Sequence, residues 1–325
     1  MNRTSIFRFA ILALLTADFG LIAGNAFSQT YPNRPITFIC PYAPGTGIDL
    51  IARIIGQKLS EYSAYPVVIK NQPGASGNIG AEAAANSPPD GYTIVIIANS
   101  HIINQHVSKN VRDVLKDFDP VAPAGTLPYL LTVSSSLPAN SIKELVALAR
   151  SRPGEINYSG VVGSVPHLLG VMLKSAGNID ITLISYKSTT DAVADVVGGR
   201  VPIWFTTVAS GLPFVKSGTV RALGISGEKR AALLPDVPTM VEAGFPGLNT
   251  GSEFYILAPA GTPKPIITKL NSEITKAMGT KDVKEKLVGQ GVDPNSSTPE
   301  ELGAILKNEV AKWAKTVKES GIRTE

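Results

Sequence analysis

The run Pro41-Tyr42-Ala43-Pro44-Gly45-Thr46-Gly47-Ile48-Asp49 leads from a β-branched segment into an apolar-periodic one through a glycine-rich turn. The first N–H groups of a helix opening there have no partner inside the helix and carry a partial positive charge, so they suit an anion. Each such contact contributes roughly 0.3–1 kcal/mol, or about 2 where water is partly excluded. No lysine follows as in GxxxxGK[ST], and the glycines do not fall in GxGxxG. On local chemistry alone, an ordinary strand–helix turn fits this segment as well as an anion site does. Tyr42, Gly45, Thr46, Gly47 and Asp49 are its candidate ligand residues.

Similar turns recur along the chain. Pro73–Asn78 is a second small-residue entry to a helix, with Ala75, Ser76 and Gly77 as candidates. Asn99-Ser100-His101 follows an apolar run, at the carboxyl end of a strand where open α/β sheets bind ligands. Ser100, His101 and Asn104 join the set from there. Further on, Ser164 with His167, Tyr186 with Ser188, and the pair Thr206-Thr207 hold equivalent positions. Each alone is weak, but together they describe a cleft lined with hydroxyls, amides and helix starts.

Catalysis finds less support. The only histidines are His101, His106 and His167, and no HExxH or Cys/His cluster joins them to a metal. There is no G-x-S-x-G elbow. No catalytic residue, metal or cofactor is assigned. His106 suits a surface or cap role, whereas His101 and His167 stand open between ligand binding and a structural hydrogen bond. Tyr158, Trp204 and Phe205 read as core.

The elements that must position these turns alternate between short β-branched runs and helical periods, the pattern of a parallel α/β architecture. Strands are expected at Ile36–Tyr42, Val67–Asn71, Tyr92–Ala98, Leu130–Ser134, Ile181–Ile184, Ile203–Phe205, Ala222–Ser226 and Glu253–Ala258. Helices are expected at Ile48–Glu61, Ile79–Ala85, from Ser141 to Arg150, from Ser164 to Gly177, and at Thr189–Val197. The chain then turns helical to its end, and Thr298-Pro299 with Glu301 forms a capping box. A C-terminal helical set must cover a sheet, and the N-terminal sheet is the natural one. The domains are therefore expected at 29–128 with 253–325, and at 129–252. Chain crossings would fall near Leu127–Leu130 and Ser252–Tyr255, and two such crossings make a hinge.

At 325 residues the chain exceeds what one core usually holds, which also favours two domains. Arg3 and Arg8, the apolar run Phe9–Leu15, and Ala26 and Ser28 give residues 1–28 the order of a secretory signal peptide. Removing them takes away Arg3, Arg8 and Asp18 and leaves a net charge of +3, with basic residues scattered. That excludes a nucleic-acid partner. Cys40 is the only cysteine, so no internal disulfide exists, and its apolar run marks it as a buried strand residue.

In order along the chain, YPNRPITFICPYAPGTGID, NQPGASGNIGAE, PDGYTI, SLPANSIKELVALAR, ISYKS, VRALGIS, LPDVPTMVEAGFPG and LAPAGTPKPIITKLN resemble the substrate-binding proteins of tripartite tricarboxylate transporters, the Bug or TctC-like family. The match runs from Tyr31 to the C-terminus. It implies a two-domain α/β periplasmic binding protein of type II-like form, with a ligand cleft between hinged domains. It further implies a carboxylate held by helix starts, backbone amides, hydroxyls and waters, without an obligatory arginine. Departures from the family pattern bear on specificity. Gly45-Thr46 stands where a glycine pair is common, the Ser100–Asn104 loop is short, and Ser188 replaces a glycine. Thr206-Thr207 replaces an Asp-Asn pair, so an ammonium group would meet no acid there.

The expected function is capture of a mono- or dicarboxylate, aromatic acids included, in the periplasm, by a monomer that hands it to membrane transporter subunits. A ligand sensor presenting its closed form to a receptor ectodomain is the alternative. An exported hydrolase is the remaining reading, disfavoured by the missing catalytic motif.

Overall fold

Strands β1 (Ile36–Cys40), β2 (Val67–Asn71) and β3 (Thr93–Ala98) start the first sheet, and β4 (Phe118–Leu127) ends its N-terminal share. Between them run α1 (Gly47–Tyr62), α2 (Asn78–Ala85) and α3 (Asn99–Val107). The middle of the chain gives β5 (Tyr129–Ser134), α4 (Ile142–Ser151), β6 (Ile156–Gly160), α5 (Val165–Gly177), β7 (Ile181–Ser185), α6 (Val193–Val197), β8 (Ile203–Thr207), α7 (Val208–Lys216) and β9 (Val220–Ile225). The last strand is β10 (Ser252–Pro259), followed by α8 (Lys264–Gly279), α9 (Lys281–Gly289) and α10 (Pro299–Ser320). This is a computed structural model, and it describes residues 31–62, 65–186, 191–227, 229–231 and 233–322. The expected signal segment lies outside the described residues, as do Lys187 and Ser188.

Two five-stranded sheets result, in the orders β2-β1-β3-β10-β4 and β7-β6-β8-β5-β9. Neither is purely parallel. β10 runs antiparallel to β3 and β4, and β5 runs antiparallel to β8 and β9. The first sheet thus draws strands from both ends of the chain, and the second only from the middle. The chain leaves the first sheet at Pro128, between β4 and β5, and returns at Ser252. The two crossing segments touch: a Cβ on Gly251 would come 2.7 Å from the Leu127 carbonyl oxygen. The Tyr129 hydroxyl and Ser252 Oγ lie 3.0 Å apart.

Several helix starts form as their residues dictate. Ser141 accepts from Glu144 N–H at 3.1 Å, and Thr298 and Glu301 cap each other's backbone N–H groups. Trp313 and Leu306 of α10 are buried in the core, with Tyr158 and Phe205 of the second sheet beside them in the same cluster. Cys40 is buried, and burial pushes its thiol up to about 11.

Four elements escaped the sequence reading: β4, β6, α3 and α7. The expected helix Thr189–Val197 is described only as Val193–Val197. The Asn99–Asn104 segment, read as a loop, is the body of α3.

Candidate functional site

The carboxyl ends of β1, β2 and β3 lie side by side, since β1 pairs in parallel with both neighbours. Each runs into a turn or helix start carrying candidate residues. In the first turn the earliest helical bond runs from Leu50 N–H to the Thr46 carbonyl at 3.0 Å. The N–H groups of Gly47, Ile48 and Asp49 therefore precede the helix's own bonding pattern. A Cβ built on Gly45 or Gly47 would meet nothing within 4 Å, so the two glycines of this turn border open space. Gly45 has φ +83, a left-handed conformation that glycine adopts without strain.

Asp49 does not face that space as a free carboxylate. It is 1% exposed and takes three bonds: Gly45 N–H at 2.8 Å, Arg53 Nε–H at 2.9 Å and Asn71 Nδ2–H at 2.7 Å. Burial pushes its pKa up, but the bonds from Arg53, Asn71 and Gly45 together outweigh burial and hold it below the ordinary carboxylate value. Arg53 also donates to Asn71 Oδ1 at 2.9 Å, and Asn71 donates to the Tyr42 carbonyl at 3.0 Å. The one guanidinium bonded to this turn is thereby engaged with the turn's own acid.

The second turn abuts the first. Ala75 and Ser76 take positive φ of 45 and 55, and Gly77 follows at 97. Left-handed backbone at non-glycine residues costs about 1–3 kcal/mol each and collects at ligand clamps. A Cβ on Gly77 would lie 3.3 Å from the Tyr42 hydroxyl, so glycine is needed for this approach. From the first turn of α3, Ser100 Oγ reaches the same hydroxyl at 3.1 Å. Burial raises the Tyr42 pKa, and the Ser100 bond opposes this in part. Tyr42, Gly77, Ser100 and the open start of α1 thus share one corner, with Thr46 exposed at its rim.

His101 turns away from that corner. Its ring is buried, with Nε2 2.9 Å from the Arg112 carbonyl, and burial lowers its pKa. Asn104 lies one helical turn further along α3, partly buried. His106 is partly buried in the last turn of α3.

On the second sheet, Ser164 caps α5, and His167 Nδ1 accepts the Gly163 N–H at 3.1 Å. Burial lowers the His167 pKa, and since Nδ1 accepts an N–H, the proton of the neutral ring sits on Nε2. Thr206 is buried, with its methyl packed where a Cβ on Gly211 would come within 2.8 Å. Thr207 is half-buried and caps α7 through Ser210 N–H at 3.3 Å. Tyr186 donates its hydroxyl to Asp195, which is also paired with Arg200. That acid is a neighbour the sequence reading missed, and Arg200 already balances its charge. No described hydrogen bond joins this set to the corner on the first sheet. Among the described residues no group of His, Cys, Asp and Glu is arranged to hold a metal ion.

The family model for the tripartite tricarboxylate transporter family receptor, TctC, matches residues 51–322. The chain belongs to the TctC family. It is 34% identical over 327 residues to the protein BugT of Bordetella pertussis, covering 99% of each chain. Among solved structures it resembles an R. palustris protein with adipate, with a TM-score of 0.72 and 34% identity over 91% of this chain and all of that one. MatC of Rhodopseudomonas palustris with bound malate gives 0.68 and 29% over 88% of this chain and all of that one. Together with the two mixed sheets, these likenesses establish a two-domain periplasmic-binding-protein fold. The TctC family and these neighbours are solute-binding proteins rather than enzymes. Two of the neighbours hold a dicarboxylate.

Proposed function

We propose that this TctC-family protein captures a small dicarboxylate in the periplasm and delivers it to the membrane subunits of a tripartite transporter. The observation that carries this reading is the open start of α1. Side chains at Gly45 and Gly47 would meet no atom within 4 Å, and the Tyr42 and Ser100 hydroxyls and Gly77 lie in the same corner as the unbonded first N–H groups of α1. Arg53 and Asp49 are spent on each other, so the site offers dipoles and donors and no free formal charge. Such a site suits a carboxylate.

On this reading residues 1–28 are the exported chain's signal peptide. The domains are 29–128 with 253–325, and 129–252, and the protein acts as a monomer. The far end of the ligand would meet Ser164, His167 and Thr207, whereas Lys187 and Ser188 lie outside the described residues. Hydroxyls and a neutral imidazole favour a second carboxylate. Asp195, the acid bonded to Tyr186, is already neutralised by Arg200 and would do little for an ammonium. A charge-assisted hydrogen bond contributes about 1.5–3 kcal/mol, and an unpaired charge is costly to desolvate. Dicarboxylates should therefore outbind amino acids of like size by about ten- to a hundredfold.

A thermal-shift and calorimetry panel of succinate, malate, adipate, glutamate and aspartate tests this. A ligand at 100 times its Kd should stabilise the protein by about 2.7 kcal/mol. Tight binding of glutamate or aspartate with no response to the dicarboxylates would overturn the reading.

A further inference from the structure

We propose that Asp49 is a positioning residue for ligand capture: it makes no contact with the ligand, and by holding the Gly45 N–H it fixes the turn that presents the Gly47 and Ile48 N–H groups. This deepens the proposed function and rests on a carboxylate binding at that turn.

The geometry carries the assignment. Asp49 lies in the first turn of the helix whose start it would serve, yet its carboxylate oxygens are occupied from three directions. Oδ2 takes Gly45 N–H and Arg53 Nε–H, and Oδ1 takes Asn71 Nδ2–H. The ring closes on itself, since Arg53 also donates to Asn71 Oδ1. Asn71 then donates onward to the Tyr42 carbonyl, which fixes the strand end that carries the hydroxyl bonded to Ser100. Asn71 is the last residue of β2, three residues before the Gly74–Gly77 turn, so one network braces both turns of the corner. A buried acid beside an anion site would by charge alone repel the anion. Its presence there makes sense if the order it imposes on the donors outweighs that repulsion, with Arg53 balancing its charge.

Two opposing effects give the test its sign. Asp49→Asn keeps the shape and removes the negative charge, but its amide NH2 must face one of three donors. If Asp49 acted on the ligand through charge, the variant would bind a dicarboxylate more tightly. If it acted only on global stability, Tm would fall while affinity below the transition stayed the same. As a positioning residue, its loss should weaken adipate binding at least tenfold at 25 °C in protein that is still folded by circular dichroism. The swap Asp49→Asn with Asn71→Asp restores an acceptor opposite the new amide and leaves Gly45 N–H an oxygen, but it gives up the Asn71 bond to the Tyr42 carbonyl. It should therefore recover only part of that loss.

Amide exchange in the ligand-free protein reads the clamp separately. The Gly45 N–H should be protected in the wild type and exchange at least tenfold faster in Asp49→Asn. An unprotected Gly45 amide in the wild type overturns the proposal even if the variant fails to fold. So does unchanged or tighter adipate binding by the folded variant. If the wild type binds no dicarboxylate, the capture reading fails and positioning for capture fails with it, whereas a protected Gly45 amide would still establish the clamp itself.

Discussion

Gly47 separates ligand capture from folding more cleanly than any other residue of the corner. It has no positive φ, and a Cβ there meets nothing within 4 Å, so a side chain would project into open space at the start of α1. Gly47→Leu should leave stability unchanged or slightly raised, because Gly in a helix costs about 0.8–1.0 kcal/mol relative to the best helix formers. Affinity should nevertheless fall about a hundredfold, the equivalent of one or two charge-assisted bonds. Titration calorimetry alongside a melting curve reads both quantities. A folded variant with native affinity would move the site elsewhere. This is also the scale at which the sequence speaks least clearly. The pair Asp49 and Arg53 stands four apart, and a helix brings such residues together. Nothing local, however, signals that Asn71, 22 residues away, closes the ring. His101 likewise stands at the right place in the chain, but its ring follows the Arg112 carbonyl. Position along a strand–helix turn was legible, whereas side-chain direction waited on tertiary packing.

At the scale of elements, each missed strand was hidden by its composition. β4 contains Pro120, Pro123 and Gly125, which read as strand breakers. It pairs with β10 through two register shifts that leave Val121 and Ala124 as extra, fully buried residues. β6 is Ile-Asn-Tyr-Ser-Gly, too polar to look like a central strand, yet α5 lies so close that a Cβ on Gly170 would fall 2.0 Å from the Tyr158 ring. Long, strongly periodic segments such as α1 and α10 were legible because they carry their own apolar face. β10 also brings a partly buried acid to the first sheet. The Glu253 carboxylate accepts the Tyr255 hydroxyl and faces Glu309 and Lys312 of α10. Burial first, then the nearby Glu309, raise its pKa above the ordinary 4.5, against the opposing pull of Lys312 and Tyr255. A raised acid contributes its full stability below the unfolded value, and loses it as pH rises through the folded one. Glu253→Gln keeps an acceptor for Tyr255 and removes the ionisation. The variant should therefore melt higher than the wild type at pH 8, by about 2–4 °C for each kcal/mol relieved, and the gap should close toward pH 4. A gap independent of pH would show that Glu253 ionises freely in the fold.

At the scale of the whole molecule, the two crossings lie next to the corner. Asn99, the residue before Ser100, is fully buried and donates to the Gly251 carbonyl at 2.8 Å. Gly251 lies against Leu127, and Ser252 against Tyr129, so both crossing segments stand next to the start of α3. A ligand that draws on the Ser100 hydroxyl therefore acts one residue from a bond to the returning strand. Pro128 alone separates β4 from β5, so a rotation of one sheet against the other must be absorbed within a few residues there and near Gly251. Those residues are few and the segments adjacent, which fits a hinge with a narrow axis. Capture of a dicarboxylate by donors on both sheets should draw the domains together, because each end of the ligand is satisfied only when both sets reach it. Small-angle scattering of the protein with saturating adipate should give a smaller radius of gyration than without it. Acetate, which offers one carboxylate and no second end, should compact the protein much less even when it occupies the first corner. Equal radii with and without adipate, at concentrations where calorimetry shows saturation, would mean that the ligand is held by the first sheet alone and that the crossings do not act as a hinge.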